Sequence, residues 1–166
     1  MRPTITYALL LGYLIGLPHP AAAADSAIER ATLTGLTTIS VVVEGLPPIA
    51  EKNGLTTAAL QSEVQRRLRQ AGIALVEDAD AYLYVHVTVA DAGASLPLPY
   101  LVDVSLMQEV TLPRGIKTRT PLQCPTWSLN RLGLAGPTIV RSAVTDRVTE
   151  FVDQFIAAYR SVNPKP

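Results

Sequence analysis

The chain has 166 residues, 48% of them hydrophobic, and it carries 14 basic and 14 acidic side chains. This balance excludes nucleic acid as a main partner, because phosphate binding needs clustered positive charge. The single cysteine, Cys124, excludes an intrachain disulfide, and a domain of roughly 140 residues buries enough surface to fold without one.

Residues 1–24 have the three parts of a cleavable secretory signal peptide. Arg2 supplies positive charge, Ile5–Leu17 is an apolar run, and four consecutive alanines follow it. The apolar run has about 13 residues, short of the roughly 20 that a membrane-spanning helix needs. We therefore expect cleavage near Ala23 or Ala24, with a retained N-terminal anchor as the alternative. No membrane span is predicted elsewhere.

The mature domain, residues 25–166, is predicted to contain four or five strands and two helices. The strands show a period-two alternation of apolar residues, and the helices show an apolar stripe at spacings of three and four. In chain order the elements are a strand over Leu36–Leu46, a helix from a cap at Thr56 or Thr57 to Ala71, a short strand over Ile73–Glu77, strands over Tyr82–Val89 and Tyr100–Leu112, a strand around Thr126–Asn130 and a helix over Thr138–Ser161.

One face of the predicted sheet is apolar and the other is mixed. Leu83 and Val85 point one way along their strand, whereas Tyr82, Tyr84 and His86 point the other way. One packed face and one solvated face are typical of antiparallel sheets. The order β-α-β-β-β-β-α therefore predicts an α+β two-layer sandwich, with both helices on one face of a mainly antiparallel sheet.

Residues typical of catalysis and metal binding are sparse, since the mature chain has one histidine and one cysteine. We expect His86 to be a half-exposed strand histidine, with ligand binding or pH sensing as the alternative. Cys124 is expected to be buried as a small hydrophobe, with intermolecular pairing as the alternative. No serine stands in a Gly-x-Ser-x-Gly elbow, and there is no glycine-rich phosphate loop. The sequence therefore predicts no enzyme, cofactor or metal site.

Two surfaces are candidates for binding a partner. Three basic side chains collect in the loop before the fifth strand, where they suit an anionic partner or an acidic protein loop; they are Arg114, Lys117 and Arg119. Four large side chains are assigned to the uncovered face of the sheet, and exposed aromatics of this kind mark partner surfaces; they are Tyr82, Tyr84, Tyr100 and Met107. The alternatives are a solvated loop, and tyrosines that pack against each other or the N-terminal segment.

The layout of the chain resembles that of small exported bacterial envelope proteins. Gly54-Leu55-Thr56 precedes a helix that ends in Leu68-Arg69-Gln70-Ala71-Gly72-Ile73, and a final helix ends in Phe155-Ile156-Ala157-Ala158-Tyr159. This order is similar to that of the lipopolysaccharide-assembly lipoprotein that plugs the outer-membrane translocon, and it implies two helices on one face of a small sheet. The chain departs from that family by having no cysteine to acylate at the cleavage point. No functional residue is carried over.

The leader and the lack of a catalytic constellation predict a non-enzymatic periplasmic accessory or binding protein of the bacterial cell envelope. The expected partner is a protein or an anionic envelope component. A small secreted hydrolase with an unrecognised site is one alternative, and a subunit of an envelope transport or assembly complex is another. The expected location is periplasmic, or extracellular, after cleavage of the leader.

Export can be tested by expressing the full chain in a bacterium with two membranes. We expect a protein that begins near Asp25 in the periplasmic fraction, as measured by intact mass and N-terminal sequencing. Replacing Leu10 and Leu11 together with Arg interrupts the apolar run, and should leave the precursor in the cytoplasm. An uncleaved chain in the membrane fraction would contradict the prediction and favour a retained anchor.

Overall fold

The computed structural model describes residues 25–91, 93, 97–111 and 122–164. Its strands and helices follow nearly the predicted order. They are α1 (Ala27–Ala31), β1 (Thr38–Val43), α2 (Pro48–Lys52), α3 (Thr57–Gln70), β2 (Ala74–Leu75), β3 (Tyr82–Val89), β4 (Leu98–Val110), β5 (Leu122–Ala135) and α4 (Val140–Val162).

The strands of the described residues form one mixed sheet in the order β2-β1-β3-β4-β5. β1 runs parallel to β2 and β3, whereas the longer pairings of β4 with β3 and β5 are antiparallel. The predicted α+β class with a mainly antiparallel sheet is confirmed. Two short helices that were not predicted, α1 and α2, are added to the order.

Helix α3 forms where the sequence predicts it, because its ends and its buried stripe are encoded locally. The hydroxyl of Thr56 accepts a hydrogen bond from the backbone N–H of Ala59 at 3.2 Å, which caps the N-terminus. Gly72 ends the helix with a φ of +81°, a left-handed conformation that glycine adopts without strain. Leu60, Val64 and Leu68 are buried and face the sheet and α4.

The centre of the core lies between α4 and the C-terminal strands. Trp127 on β5 is fully buried, and its ring meets Phe155 of α4 edge to face at 5.2 Å between centroids. The indole N–H donates to the Asp25 carboxylate at 2.9 Å. Burial raises the pKa of Asp25, but hydrogen bonds from Arg30 and Trp127 outweigh it and hold the pKa below its usual value. The segment that begins at Asp25 is therefore fixed to the core.

The predicted position of Tyr100 was wrong. Tyr100 is buried on the helix-covered face, in line with Val102 and Val104, and it pairs with Gly133 across the β4–β5 ladder. A side chain at Gly133 would overlap the Tyr100 ring, so the glycine makes the space that the ring fills.

The bounds of β5 and the burial of Cys124 also differ from prediction. β5 runs through Leu122–Ala135, well beyond the predicted Thr126–Asn130, because it is an edge strand. Pro125 lies near its start, and an edge tolerates a residue without a backbone N–H. Cys124 lies on this edge strand and is half-buried rather than buried.

We predict that Gly133→Ala destabilises the domain. The added methyl group overlaps the Tyr100 ring, and forcing atoms into a packed site typically costs about 1–3 kcal/mol. Urea unfolding followed by circular dichroism measures the change. Gly45→Ala is the matched control, because a Cβ there meets nothing within 4 Å. Equal stability of the two variants would contradict the packing role of Gly133.

Candidate functional site

The face of the sheet turned away from α3 and α4, here called the open face, holds a shallow groove. The ladder between β3 and β4 places Tyr82 opposite Met107, and His86 opposite Asp103. The groove has a volume of about 530 Å³. Its lining residues come from the position that directly follows β1 and from β3, β4 and β5; they are Glu44, Tyr82, Tyr84, His86, Leu101, Asp103, Ser105, Met107 and Pro125.

A hydrogen-bonded chain of side chains, here called the Glu44 network, crosses one side of the groove. Glu44 follows β1, and because β1 pairs in parallel with β3, its carboxylate reaches two side chains of β3. The Tyr84 hydroxyl donates to Glu44 Oε2, and His86 Nδ1 lies 2.5 Å from the same oxygen. His86 Nε2 lies 2.9 Å from the Thr88 hydroxyl. Both ring nitrogens of His86 are therefore engaged.

The hydrogen bond between Tyr84 and Glu44 shifts the pKa of both groups. The carboxylate stabilises the protonated hydroxyl and raises the pKa of Tyr84 to about 12. The hydrogen bonds from Tyr84 and then His86 stabilise the carboxylate and lower the pKa of Glu44. At neutral pH, Glu44 therefore carries a fixed negative charge while Tyr84 stays neutral.

A second carboxylate lies across the groove on β4. Asp103 Oδ1 accepts a hydrogen bond from the Ser105 hydroxyl at 2.5 Å, and Ser105 is itself buried. Because Ser105 donates to a carboxylate and His86 is engaged at both nitrogens, the polar side chains are held in place as a set. They present oxygen acceptors from both sides of the groove, which suits recognition of N–H and ammonium donors.

The remaining walls of the groove are apolar. The rings of Tyr82 and Tyr84 meet edge to face, with centroids 6.5 Å apart. Leu101 and Met107 on β4 and Pro125 on β5 complete the lining. Both tyrosines stay half-exposed, so their mutual contact leaves aromatic surface available to a partner.

The structure brings together some of the residues that the sequence singled out. Tyr82 and Tyr84 lie side by side on the open face with His86, as predicted, whereas Tyr100 lies on the opposite face. The basic candidates Arg114, Lys117 and Arg119 lie outside the described residues, so their role stays a prediction.

Glu44 is the residue of the groove that sequence reasoning missed. The alternation of side chains along the strand could have found it. Glu44 lies on the same face as Ser40 and Val42, opposite to the buried Val41 and Val43. The described residues hold no cluster of three or more metal-ligating side chains. Among the same residues, no helix has the length and apolar character that crossing a membrane requires.

Comparison with known proteins gives weak structural neighbours. No protein-family model and no curated protein matches the chain. A hypothetical protein from Chlamydia trachomatis is 9% identical, and the match covers 73% of this chain and 96% of that one with a TM-score of 0.38. Rare lipoprotein B from Shewanella oneidensis is 18% identical over 74% and 89% of the two chains, with a TM-score of 0.24.

We predict that Glu44→Gln lowers the pKa of Tyr84 from about 12 toward its ordinary 10.0, because a neutral amide no longer favours the protonated hydroxyl. The tyrosine pKa values can be followed by NMR, with Tyr84→Phe identifying the resonance. Glu51→Gln is the matched control, since Glu51 is an exposed glutamate on α2. An unchanged Tyr84 pKa in Glu44→Gln would show that the two groups do not interact in solution.

Proposed function

We propose that this protein is an exported, non-enzymatic accessory protein of the bacterial cell envelope that binds a protein partner through the open face. The observation that supports the proposal is the groove itself. Among the described residues, no second layer covers this face, and it combines half-exposed tyrosines with two hydrogen-bonded carboxylates. Aromatic anchors with polar groups beside them are the usual composition of a binding surface.

The charge of the groove favours a protein partner over an anionic envelope component. Glu44 and Asp103 stand on two of its walls, and the described lining contains no lysine or arginine. Phosphate groups would be repelled there, whereas a lysine, an arginine or backbone N–H groups would find acceptors. The partner segment that fits carries a basic residue flanked by apolar side chains, which pack on Tyr82 and Met107.

An anionic component is a second candidate. It would be bound by the basic loop residues Arg114, Lys117 and Arg119, and not by the open face. Substituting these three residues together with serine should then reduce binding to anionic lipid vesicles, while leaving binding at the open face unchanged.

Site-specific photocrosslinking in cells tests the proposed function directly. A benzophenone amino acid at Tyr82 or Leu101 should crosslink one discrete envelope protein, which mass spectrometry then identifies. Matched positions for the control are Arg69 and Ser142, which are exposed on α3 and α4. Equal crosslinking at all four positions, or none at the open face, would contradict the proposal.

Binding to the identified partner should then depend on both parts of the groove. Tyr82→Ala combined with Tyr84→Ala should weaken binding about tenfold or more, as expected for aromatic anchors that contribute above about 1 kcal/mol each. Asp103→Asn should weaken it further if the partner supplies a cation. Turnover in a hydrolase panel that Ser105→Ala abolishes would instead favour the enzymatic alternative.

A further inference from the structure

The two edges of the sheet differ in length and protection. β2 forms one edge with the two residues Ala74–Leu75, whereas β5 forms the other with the 14 residues Leu122–Ala135. The first half of β5 is protected. It contains Pro125 beside a register shift in the ladder, and the Thr32 hydroxyl next to α1 donates to the Thr126 carbonyl. Bulges, prolines and covering segments are the usual means of blocking an edge.

The second half of β5, Asn130–Ala135, has the opposite character. Leu132 and Leu134 point to the open-face side and are each 70% exposed. This half has no proline, and the hydrogen bonds that join Thr32 and Asp25 to β5 fall on Thr126 and Trp127 in the first half. A long edge strand that is covered at one end and carries exposed leucines at the other is suited to pairing with another strand.

We propose that the second half of β5 pairs antiparallel with the same segment of a second copy of this chain, with Gly133 on the two-fold axis. This proposal does not depend on the function proposed for the groove. Leucines are self-complementary, and a two-fold axis brings the same patch of both copies together. The result is a continuous sheet through two domains.

The register follows from the side chains of the strand. With Gly133 on the axis, each Leu132 lies directly opposite Leu134 of the second copy, so all the exposed leucines of both edges form direct cross-strand pairs. Arg131 then lies opposite the small Ala135. With Arg131 on the axis, two arginines would face each other, and like charges directly opposite are destabilising. A pairing shifted by one residue, with Leu132 opposite Gly133 of the second copy, would place the leucines of the two copies on opposite faces of the joined sheet.

The expected dimer is weak, because the paired stretch is short. Only residues 131–135 pair in this register, and an interface of this kind falls at or below the low end of stable protein interfaces. We therefore expect a monomer at micromolar concentration and a dimer as the concentration approaches millimolar. Sedimentation velocity of the mature chain measures this equilibrium.

Charges placed on the edge should abolish the dimer. Leu132→Lys combined with Leu134→Lys would bring four positive charges together across the axis, and lysines of this kind protect natural edge strands. Ile28→Lys combined with Val76→Lys is the matched control, because both residues are exposed apolar side chains away from this segment. Circular dichroism checks that both variants fold. Wild-type protein that stays monomeric at millimolar concentration would overturn the proposal.

Disulfide trapping tests the register, in a Cys124→Ser background. Directly opposite residues on antiparallel strands have Cα atoms about 4.5–5.5 Å apart, within disulfide range, whereas diagonal neighbours about 7–8 Å apart are beyond it. A mixture of Leu132→Cys and Leu134→Cys chains should therefore crosslink, and neither chain should crosslink with itself.

Thr88→Cys provides the baseline for random collision, since Thr88 is exposed on the interior strand β3. Crosslinking of the mixture at that baseline would overturn the proposal. Self-crosslinking of Leu132→Cys would place Leu132 on the axis, and would overturn the register centred on Gly133.

Discussion

The one-sided covering of the sheet is the constraint on which the rest of this structure depends. Both long helices carry a single apolar stripe, and together they bury one face of β1, β3, β4 and β5. Because side chains alternate along a strand, the residues between the buried ones must emerge on the other side. Within the part of the chain that the structure describes, no second layer lies above those residues. The core around Trp127 and Phe155 and the groove on the open face are therefore two consequences of one alternation.

The candidate site arises from the crossover rather than from a local motif. Glu44 and His86 are 42 residues apart, and they meet because β1 inserts between β2 and β3 and runs parallel to both. α3 connects β1 to β2 on the covered side, which leaves the carboxylate free on the other. Periodicity places each residue on a face, but it does not say which strands are neighbours. The sequence therefore predicted the tyrosines and His86 as a group and missed Glu44.

The features predicted correctly are those that a few adjacent residues determine. The cap at Thr56, the end of α3 at Ala71 and the α+β class follow from short-range patterns. The errors have an equally specific origin. Tyr100 was grouped with the other tyrosines although it alternates in step with Val102, and β5 continues through Gly133 to Ala135, beyond its predicted end at Asn130. Only the cross-strand contact shows that this glycine makes room for the Tyr100 ring, and a single strand contains no such information.

The open face and the β5 edge are linked through the β4–β5 ladder. Leu101 lines the groove and pairs with Leu132, so the apolar surface continues from the groove to the edge of the sheet. In a pair of chains related by a two-fold axis at Gly133, Leu132 of each copy pairs with Leu134 of the other. Directly opposite residues point to the same face, so both open faces lie on one side of the joined sheet. A partner with two basic, apolar segments would then engage both grooves, and its second contact would form at a high effective concentration. A weak association between copies would therefore strengthen binding at the open face without adding any contact within a groove.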